Sequence, residues 1–380
     1  MRICIVYDCL YPWTVGGAER WYRNLAERLS ALGHEITYLT RRQWDIGEEP
    51  LVPGVRVIAV SARGDLYTKG GRRRIWPPLA FGGCVLKHLA RHGADYDVVH
   101  TASFPYFPLL AAAALRSRRG YRLVVDWHEI WTREYWAAYL GAIGGPIGWA
   151  TQRAALRARQ QAFCFSRLHE RRLRASGVSN VVRLGGQFTG SLEVPDPVPA
   201  EACVVFAGRH VAEKGVTALV PAFVAAHANV PELRLEIYGD GPQRAEVLRQ
   251  IEQLGVEEIV SAPGFVEDVV IDQALRRALC LVLPSRREGY GLVVVEASAR
   301  GVPSVVVAGP DNAAVELVDE GVNGSIAPSA DPTDLGSAIL RVHGLGPELR
   351  RSTVAWYRAN AQRLSLDSSL HTILGVYGST

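Results

Sequence analysis

The sequence predicts an α/β protein made of two doubly wound parallel-sheet domains of similar size. The chain has 380 residues, about twice the length of a typical domain. Short apolar segments rich in Val and Ile alternate with helix-like segments, a pattern typical of parallel strands joined by helical crossovers. Most of these apolar segments are continuous, as in strands that are covered on both faces. In such domains ligands bind at the carboxyl ends of the strands. We therefore expect two such domains to face each other and form a cleft between them.

The predicted elements follow in chain order. The strands are RICIVY, EITYLT, VRVIAV, DVVHT, RLVVDW and AFCFS in the first half, and CVVFAG, LRLEIYG, CLVLP and PSVVVA in the second. The predicted helices are Gly17–Leu32, Val216–Ala228, Gln243–Leu254 and Leu292–Arg300. The stretch Gly185–Ala200 is rich in Gly and Pro and lacks periodicity, which indicates an interdomain linker. We therefore expect domains at residues 1–186 and 187–355, and a helical tail at residues 356–380 that crosses back to the N-terminal domain.

Composition excludes several classes of protein. The charged fraction of 21% and the hydrophobic fraction of 48% argue against disorder. The net charge of +4 is too mild for a nucleic-acid-binding protein, but it suits an anionic small substrate. The uncharged stretch Tyr135–Gln152 only just reaches the length of a membrane span, and its glycines and proline would break such a helix.

The cysteines and the first residues bear on the compartment. None of the six cysteines has Cys-x-x-Cys spacing, and several lie in strand-like runs, so we expect buried free thiols in a reducing compartment. The opening MRICIVYDCLYP indicates a first strand rather than a signal peptide. We expect a cytoplasmic protein. Arg72, Arg73 and Arg74 leave open a peripheral contact with the inner face of the membrane, and a solvated loop is the alternative.

The stretch VVFAGRHVAEKGV predicts an anion site. An apolar strand ends at Ala207, Gly208 permits a tight turn, and Arg209 and Lys214 follow in the loop before a helix. Cations in a strand-to-helix loop suit an anion such as a diphosphate. The alternative is that these two residues are ordinary solvated surface cations.

The stretch PSRREGYGLVVVE places two acids on either side of an uncharged run. Glu288 lies in the loop after a strand, and Gly289 and Gly291 allow the backbone to come close to a ligand. Glu296 is expected one turn inside the following helix. A fully helical path over eight residues spans roughly 12 Å, so the two acids can contact opposite ends of a small ligand. Carboxylates accept hydrogen bonds from sugar hydroxyls, and a helix N-terminus favours phosphate. The alternative is a carboxylate at a helix start together with a buried Glu.

Four stretches together resemble a known family. VGGAER (Val15–Arg20), AGRHVAEKG, YGDGP (Tyr238–Pro242) and PSRREGYGLVVVE are similar to motifs of the retaining glycosyltransferases of family 4, including their Glu-x7-Glu signature. The resemblance covers the whole chain in order. It implies the GT-B fold, in which an N-terminal Rossmann-like domain binds the acceptor and a C-terminal one binds the nucleotide sugar.

The resemblance also implies residue roles. Arg209 and Lys214 match the pair that binds the donor diphosphate and stabilises the leaving group. Glu288 matches the acid that contacts the donor sugar, Glu296 the one that holds the ribose, and His128 the histidine that contacts the transferred sugar. The same comparison assigns donor binding to Gly16, Gly17, Gly208, Gly239, Val266, Gly289, Tyr290, Gly291 and Leu292.

The implied activity is transfer of a sugar from a nucleoside-diphosphate sugar to a hydroxyl, with the anomeric configuration retained. No cofactor or metal is expected, because the cations can neutralise the leaving group. The acceptor is expected to be a saccharide, a natural product or a lipid-linked molecule. A nucleotide-sugar epimerase or sugar-phosphate synthase of the same fold, or a non-catalytic nucleotide-sugar-binding subunit, are the alternatives.

Several residues bear on the acceptor and on metals. His100, Trp127 and Trp131 are candidates for the acceptor side, although core packing is the alternative for the tryptophans and a structural hydrogen bond is the alternative for the histidine. Asp95-Tyr96-Asp97 has the Asp-x-Asp form of a metal site in another fold, but we expect it to be structural. The stretch RLGGQFTG replaces the hinge motif common among relatives, which leaves the hinge contacts open.

Overall fold

The computed structural model describes residues 1–64, 74–193 and 199–378. Arg72 and Arg73, and residues 194–198 of the predicted linker, lie outside the described residues. The chain divides into two compact units. Within the described residues, unit 1 comprises 1–64, 74–184 and 369–378, and unit 2 comprises 185–193 and 199–368.

Unit 1 contains a seven-stranded, fully parallel sheet with strand order β3-β2-β1-β4-β5-β6-β7. Its strands are β1 Arg2–Val6, β2 Glu35–Arg41, β3 Val55–Ser61, β4 Val98–Ala102, β5 Arg122–Trp127, β6 Gln161–Cys164 and β7 Val181–Arg183. The helices between them are α1 Gly17–Ala31, α2 Trp76–His92, α3 Tyr106–Arg119, α4 Arg133–Arg157 and α5 Arg167–Ala175. Strands β4 and β5 are almost entirely buried, which explains their continuous apolar sequences.

Unit 2 contains a second parallel sheet, of six strands, with order β10-β9-β8-β11-β13-β15. Its strands are β8 Cys203–Ala207, β9 Arg234–Tyr238, β10 Val260–Gly264, β11 Cys280–Leu283, β13 Ser304–Val307 and β15 Gly324–Ala327, while β12 Arg287–Glu288 and β14 Asp311–Asn312 form a separate pair. The helices are α6 Leu219–His227, α7 Arg244–Leu254, α8 Asp268–Arg277, α9 Leu292–Ser298 and α10 Pro332–Leu364.

Helix α11, Leu366–Gly378, follows α10 after Ser365. The predicted domain boundary at residue 355 lies inside α10, because this helix continues to Leu364 with a kink at Gly346. Residues 369–378 belong to unit 1.

The uncharged stretch Tyr135–Gln152 lies within α4, which is kinked at Gly141, where the backbone is non-helical (φ 77°, ψ −174°). Within the described residues, no helix combines the length and the apolar character needed to cross a bilayer.

Both units have an edge where parallel strands end together. Because the strands of each sheet run the same way, the loops that follow β1, β4 and β5 share one edge in unit 1. The loops that follow β8, β9, β10 and β11 share one edge in unit 2. Ligand sites of doubly wound sheets are built from such loops.

Candidate active site

In unit 2, the loop at residues 208–215, which follows β8 and is called the anion loop, contacts the segment at residues 284–291, which follows β11 and is called the acidic loop. Lys214 Nζ donates to Glu288 Oε1 over 2.5 Å, and Ser285 Oγ donates to the same oxygen over 2.8 Å. Glu288 is 7% exposed and Ser285 is fully buried. Gly289, half-buried, follows directly. The sheet order explains the meeting, since β8 and β11 are neighbours and the two loops follow their carboxyl ends.

The backbones of these two loops are also joined. Arg286 N donates to Glu213 O over 2.9 Å. Gly215 adopts a left-handed conformation (φ +64°), and a Cβ atom there would lie 2.3 Å from Pro284 O. Only glycine satisfies both demands, so this residue lets the chain that carries Lys214 approach the end of β11.

Gly291 sets the direction of α9. It is buried and left-handed (φ +99°), and a Cβ atom there would lie 2.8 Å from Ala314 Cβ. Leu292 begins the helix and is half-buried, and Tyr290 is buried at 8% exposure. Glu296 is half-buried one turn into α9, as the spacing of the motif predicted. Because α9 has only seven residues, its dipole contributes less than the side-chain cations to any anion site.

The loops that follow β8, β9 and β10 are joined in the same way. Gly239 is left-handed (φ +120°), and a Cβ atom there would lie 1.9 Å from Gly208 O. Gly239 N donates to Gly264 O over 2.8 Å. Val266, two residues further along, is half-buried. The predicted donor-binding glycines therefore allow close approach between neighbouring loops at the carboxyl edge.

The anion loop itself has an exposed cation and a buried imidazole. Arg209 is exposed, whereas His210 is fully buried and its backbone N donates to Asp240 O over 2.8 Å. Burial lowers the pKa of His210. Asp240 opposes that shift and Arg244 adds to it. His210 is therefore neutral near pH 7.

In unit 1, His128 directly follows β5 at the carboxyl edge. It is half-buried and stacks on Phe165, with ring centroids 5.2 Å apart and planes inclined by 6°. Its Nε2 atom has no hydrogen-bond partner among the described residues. Burial lowers the pKa of His128, Asp126 opposes this, and His100 adds to it, so the neutral imidazole is the stable form.

Two predicted acceptor-side residues lie in the interior instead. His100 is fully buried, with Nε2 2.8 Å from Asp126 Oδ1 and Nδ1 2.6 Å from the Tyr377 hydroxyl. The prediction placed His100 at the end of its strand, but β4 continues for two more residues, which keeps the ring within the sheet. Trp127 is also fully buried, and its Nε1 donates to Gln160 Oε1 over 2.8 Å. A side chain without exposed surface makes no contact with an acceptor, so both assignments are corrected.

The remaining candidates of unit 1 lie at loops of the carboxyl edge. Trp131 is half-buried, four residues after the end of β5. Gly16 precedes α1 with extended backbone (φ −179°), and Gly17 is the first residue of that helix. A Cβ atom at Gly17 would meet nothing within 4 Å, so its surroundings leave room for a ligand.

The Asp-x-Asp triplet lies away from these loops. Asp97 directly precedes β4, at the amino edge of the sheet, where its carboxylate accepts a hydrogen bond from Arg2 N over 2.7 Å. Asp95 lies 3.5 Å from His92 Nδ1. Within the described residues, no group of three or more His, Cys, Asp or Glu side chains is placed to hold a metal ion.

The sequence reasoning missed two buried residues that support Glu288. Ser285, whose hydroxyl binds the carboxylate, lies in the PSRREGYGLVVVE motif but has no role predicted from the sequence. Asn312 Nδ2 donates to Ser285 O over 2.9 Å and to Val307 O over 2.8 Å, while its Oδ1 accepts from Ala314 N. The Pro-Ser dipeptide at the strand end was a usable signal for Ser285. Nothing local in the sequence marks Asn312.

Comparison with known proteins identifies the family. Residues 15–184 match the family model described as Glycosyltransferase Family 4, and residues 194–354 match the one described as Glycosyl transferases group 1. A D-inositol 3-phosphate glycosyltransferase of Acidothermus cellulolyticus is 30% identical over 392 residues, covering 95% of this chain and 85% of the relative. The chain belongs to the group 1 and family 4 glycosyltransferases. It is therefore an enzyme of glycosyl transfer.

Solved structures show the fold of this glycosyltransferase. Sucrose-phosphate synthase from Thermosynechococcus elongatus has a TM-score of 0.80 at 21% identity, covering 99% of this chain and 98% of that one. Anabaena HepE in complex with UDP-glucose has a TM-score of 0.73 at 19% identity and covers both chains completely. Together with the two parallel-sheet units, these similarities identify the fold as GT-B.

Proposed function

We propose that this glycosyltransferase moves a sugar from a nucleoside-diphosphate sugar to an acceptor hydroxyl, with retention of configuration and without a metal ion. The observation that carries the proposal is the contact of Lys214 with Glu288, because it joins the predicted diphosphate loop to the predicted sugar-binding loop in one site. Family membership supports the use of a nucleotide sugar, and the Anabaena neighbour with bound UDP-glucose places uridine donors first among those to test.

The cations of unit 2 stabilise the leaving group. As the glycosyl–phosphate bond lengthens, negative charge develops on the diphosphate, and fixed cations stabilise that charge more in the transition state than in the ground state. Arg209 is exposed in the loop after β8, and Lys214 has a half-buried side chain, 24% exposed, so both can reach a bound diphosphate. With two cations in place, no metal ion is required.

Glu288 has a double role in the proposed mechanism. Before the donor binds, it neutralises Lys214 and keeps the ammonium group in position. When a diphosphate attracts Lys214, the carboxylate keeps its hydrogen bond from Ser285 and can accept hydrogen bonds from sugar hydroxyls. Glu296, one turn into α9, would bind the ribose hydroxyls.

His128 would contact the transferred sugar from unit 1. Its neutral ring carries one N–H donor and one acceptor nitrogen, so it can pair with a hydroxyl group without adding charge. The acceptor hydroxyl attacks from the face that the diphosphate leaves, which retains the configuration. No protein nucleophile is assigned to this reaction.

The test is a thermal-shift screen with UDP, ADP, GDP and TDP, followed by hydrolysis of the matching nucleotide sugars in the absence of acceptor. We expect one nucleotide to raise the Tm by mass action and its sugar derivative to be slowly hydrolysed. Stabilisation without any hydrolysis or transfer would favour a non-catalytic binding subunit. Stabilisation by none of the nucleotides would contradict the proposed donor class.

Metal independence has its own test. We expect activity to survive excess EDTA, because side chains neutralise the diphosphate. Complete loss of activity that Mg²⁺ or Mn²⁺ restores would overturn the proposal of metal independence and make Asp95 and Asp97 the candidate metal ligands.

We also propose a cytoplasmic location. It is supported by six cysteines that are all free, five of them buried.

A further inference from the structure

Unit 1 carries a cluster of four aromatic side chains that the mechanism above does not use. Trp131 lies at its centre, with ring centroids 5.3 Å from Phe104, 4.8 Å from Tyr135 and 5.2 Å from Tyr139. Tyr135 and Tyr139 stack on each other at 5.9 Å. We call these four residues the aromatic platform. All four are half-buried, so the rings keep surface that another molecule can contact.

The platform lies where ligands of doubly wound sheets bind. Phe104 follows β4 and Trp131 follows β5, both at the carboxyl edge of the sheet. His128, the residue expected to contact the transferred sugar, is in the same loop as Trp131. Tyr135 and Tyr139 are one helical turn apart on α4, which begins two residues after Trp131.

A buried glutamine fixes the backbone that carries the central ring. Gln152 is fully buried, and its Oε1 accepts from Trp131 N over 3.0 Å while its Nε2 donates to Trp131 O over 2.8 Å. The same oxygen accepts from the Tyr106 hydroxyl over 2.8 Å and from Trp136 Nε1 over 3.3 Å. Both backbone groups of Trp131 are therefore fixed by one side chain. A preorganised ring costs less conformational entropy when a ligand binds.

The rim of the platform is polar. Trp131 Nε1 donates to Glu129 Oε2 over 2.8 Å, which orients the indole and leaves a carboxylate beside it. The phenol groups of Tyr135 and Tyr139 add two hydroxyls. An apolar face with a hydroxyl and carboxylate rim matches a pyranose ring, which has an apolar C–H face and a polar edge.

We propose that the aromatic platform binds the acceptor and that the acceptor is a saccharide, with one pyranose face stacked on Trp131. The proposal rests on the proposed function, since it names the acceptor class of that reaction. Of the three acceptor classes left open by the sequence, namely saccharide, natural product and lipid-linked molecule, it selects the saccharide.

The test uses octyl β-D-glucoside, below its micellar concentration, as a probe that carries both a sugar ring and an alkyl chain. Saturation-transfer NMR on the whole chain reports which protons contact the protein. We expect saturation of the ring C–H protons, and a loss of probe affinity of at least about five-fold in Trp131→Ala. Trp131→Phe, which keeps an aromatic face, should lose less. Because the probe carries both a sugar ring and an alkyl chain, the protons that are saturated distinguish recognition of a saccharide from recognition of a lipid.

Ile143→Ala is the matched control, because Ile143 is 85% exposed on α4, the helix that carries both tyrosines, and is not part of the platform. It should leave probe binding unchanged, and a loss equal to that of Trp131→Ala would overturn the proposal. Saturation confined to the alkyl chain, or no binding to the wild-type chain, would also overturn it.

Tm shifts with UDP, ADP, GDP and TDP should be equal in all variants. Failure of the donor proposal would therefore appear separately, as absence of those shifts in the wild-type chain.

Discussion

Lys214 and Glu288 form a charge pair in which each residue determines what the other can bind. Their charged atoms lie 2.5 Å apart, with side-chain exposures of 24% and 8%. Partly buried charges need partners, since desolvation penalises an isolated charge. Removing one member therefore leaves the charge of the other uncompensated, and a ligand of opposite charge or with hydrogen-bonding groups can compensate it. This coupling makes the two single substitutions fail in different ways.

Replacing Lys214 by Ala should lower kcat/KM by the equivalent of about 2–4 kcal/mol, because a cation facing the leaving group is lost. Steady-state kinetics with the donor found in the nucleotide screen measures this. Lys87→Ala, an exposed lysine on α2, is the control and should behave as wild type. Near wild-type turnover in Lys214→Ala would contradict the anion site.

The two acids should also separate. Glu288→Gln should bind the bare nucleoside diphosphate no more weakly than wild type, since Lys214 loses a competing carboxylate, but its kcat should fall. Glu296→Gln should weaken the nucleoside diphosphate and the intact donor alike, which raises KM. Calorimetric titration with the nucleoside diphosphate distinguishes them. Equal losses of affinity in the two variants would show that the roles are not divided.

At the scale of loops and helices, the site of unit 2 depends on glycines that bring neighbouring loops together. Gly215 against Pro284 O and Gly239 against Gly208 O are contacts that a Cβ atom would prevent. They hold the loops after β8, β9 and β11 at fixed distances. The positions of Arg209 and Lys214 follow from these backbone contacts as much as from the side chains.

Gly215→Ala should destabilise unit 2 more than Gly255→Ala does. The two glycines have almost the same backbone, with φ +64° and +63°, but a Cβ atom at Gly255 meets nothing within 4 Å. The left-handed conformation alone costs Ala about 1–2 kcal/mol, so Gly255→Ala measures strain without a clash. Differential scanning calorimetry should show the larger fall in Tm for Gly215→Ala, along with weaker nucleotide binding. Equal falls would mean that the Pro284 contact is unimportant.

Much of this architecture was predictable because its signals are local. Continuous apolar runs predicted the buried parallel strands, and the Gly-rich turns after them predicted the loops at the carboxyl edges. Glu296 lies one turn inside its helix because helix geometry converts sequence spacing directly into position. The start of that helix at Gly291 and Leu292 was predicted on the same grounds.

The rest depends on contacts between residues distant in sequence. Asn312 supports Ser285 across 27 positions, and Gln152 binds Trp131 across 21. The interior location of His100 depends on where β4 ends and on a hydroxyl 277 positions away. Such pairings cannot be predicted from a single sequence, because they are set by sheet order and helix packing.

At the scale of the whole molecule, buried and half-buried histidines couple stability to pH. Burial lowers the pKa of His128 and His210, and burial with neighbouring charges lowers the pKa of His88 to about 4. Unfolding returns each group to a pKa of about 6.5, so the unfolded chain binds protons first on acidification. Stability from these groups is complete above about pH 6.5 and declines as pH falls below it.

The Tm should therefore fall between pH 7.5 and pH 5.5, and His210→Leu should reduce that fall. Leu fills a similar volume beside Phe206 and carries no titrating group. His371→Gln, at an exposed histidine, is the control and should keep the wild-type pH dependence. Thermal melts at closely spaced pH values provide the measurement. Parallel profiles for wild type and His210→Leu would show that another group dominates.

The hydrogen bond between His100 and Tyr377 also constrains the order of events during synthesis. All seven strands of the first sheet are synthesised before unit 2, yet the hydroxyl that meets His100 comes after unit 2. At roughly 5–20 residues per second, the nascent first sheet waits about 10–40 s for that partner. During this interval, the imidazole beside Asp126 has an unfilled neighbouring position. The first sheet therefore gains this hydrogen bond only after unit 2 has been translated.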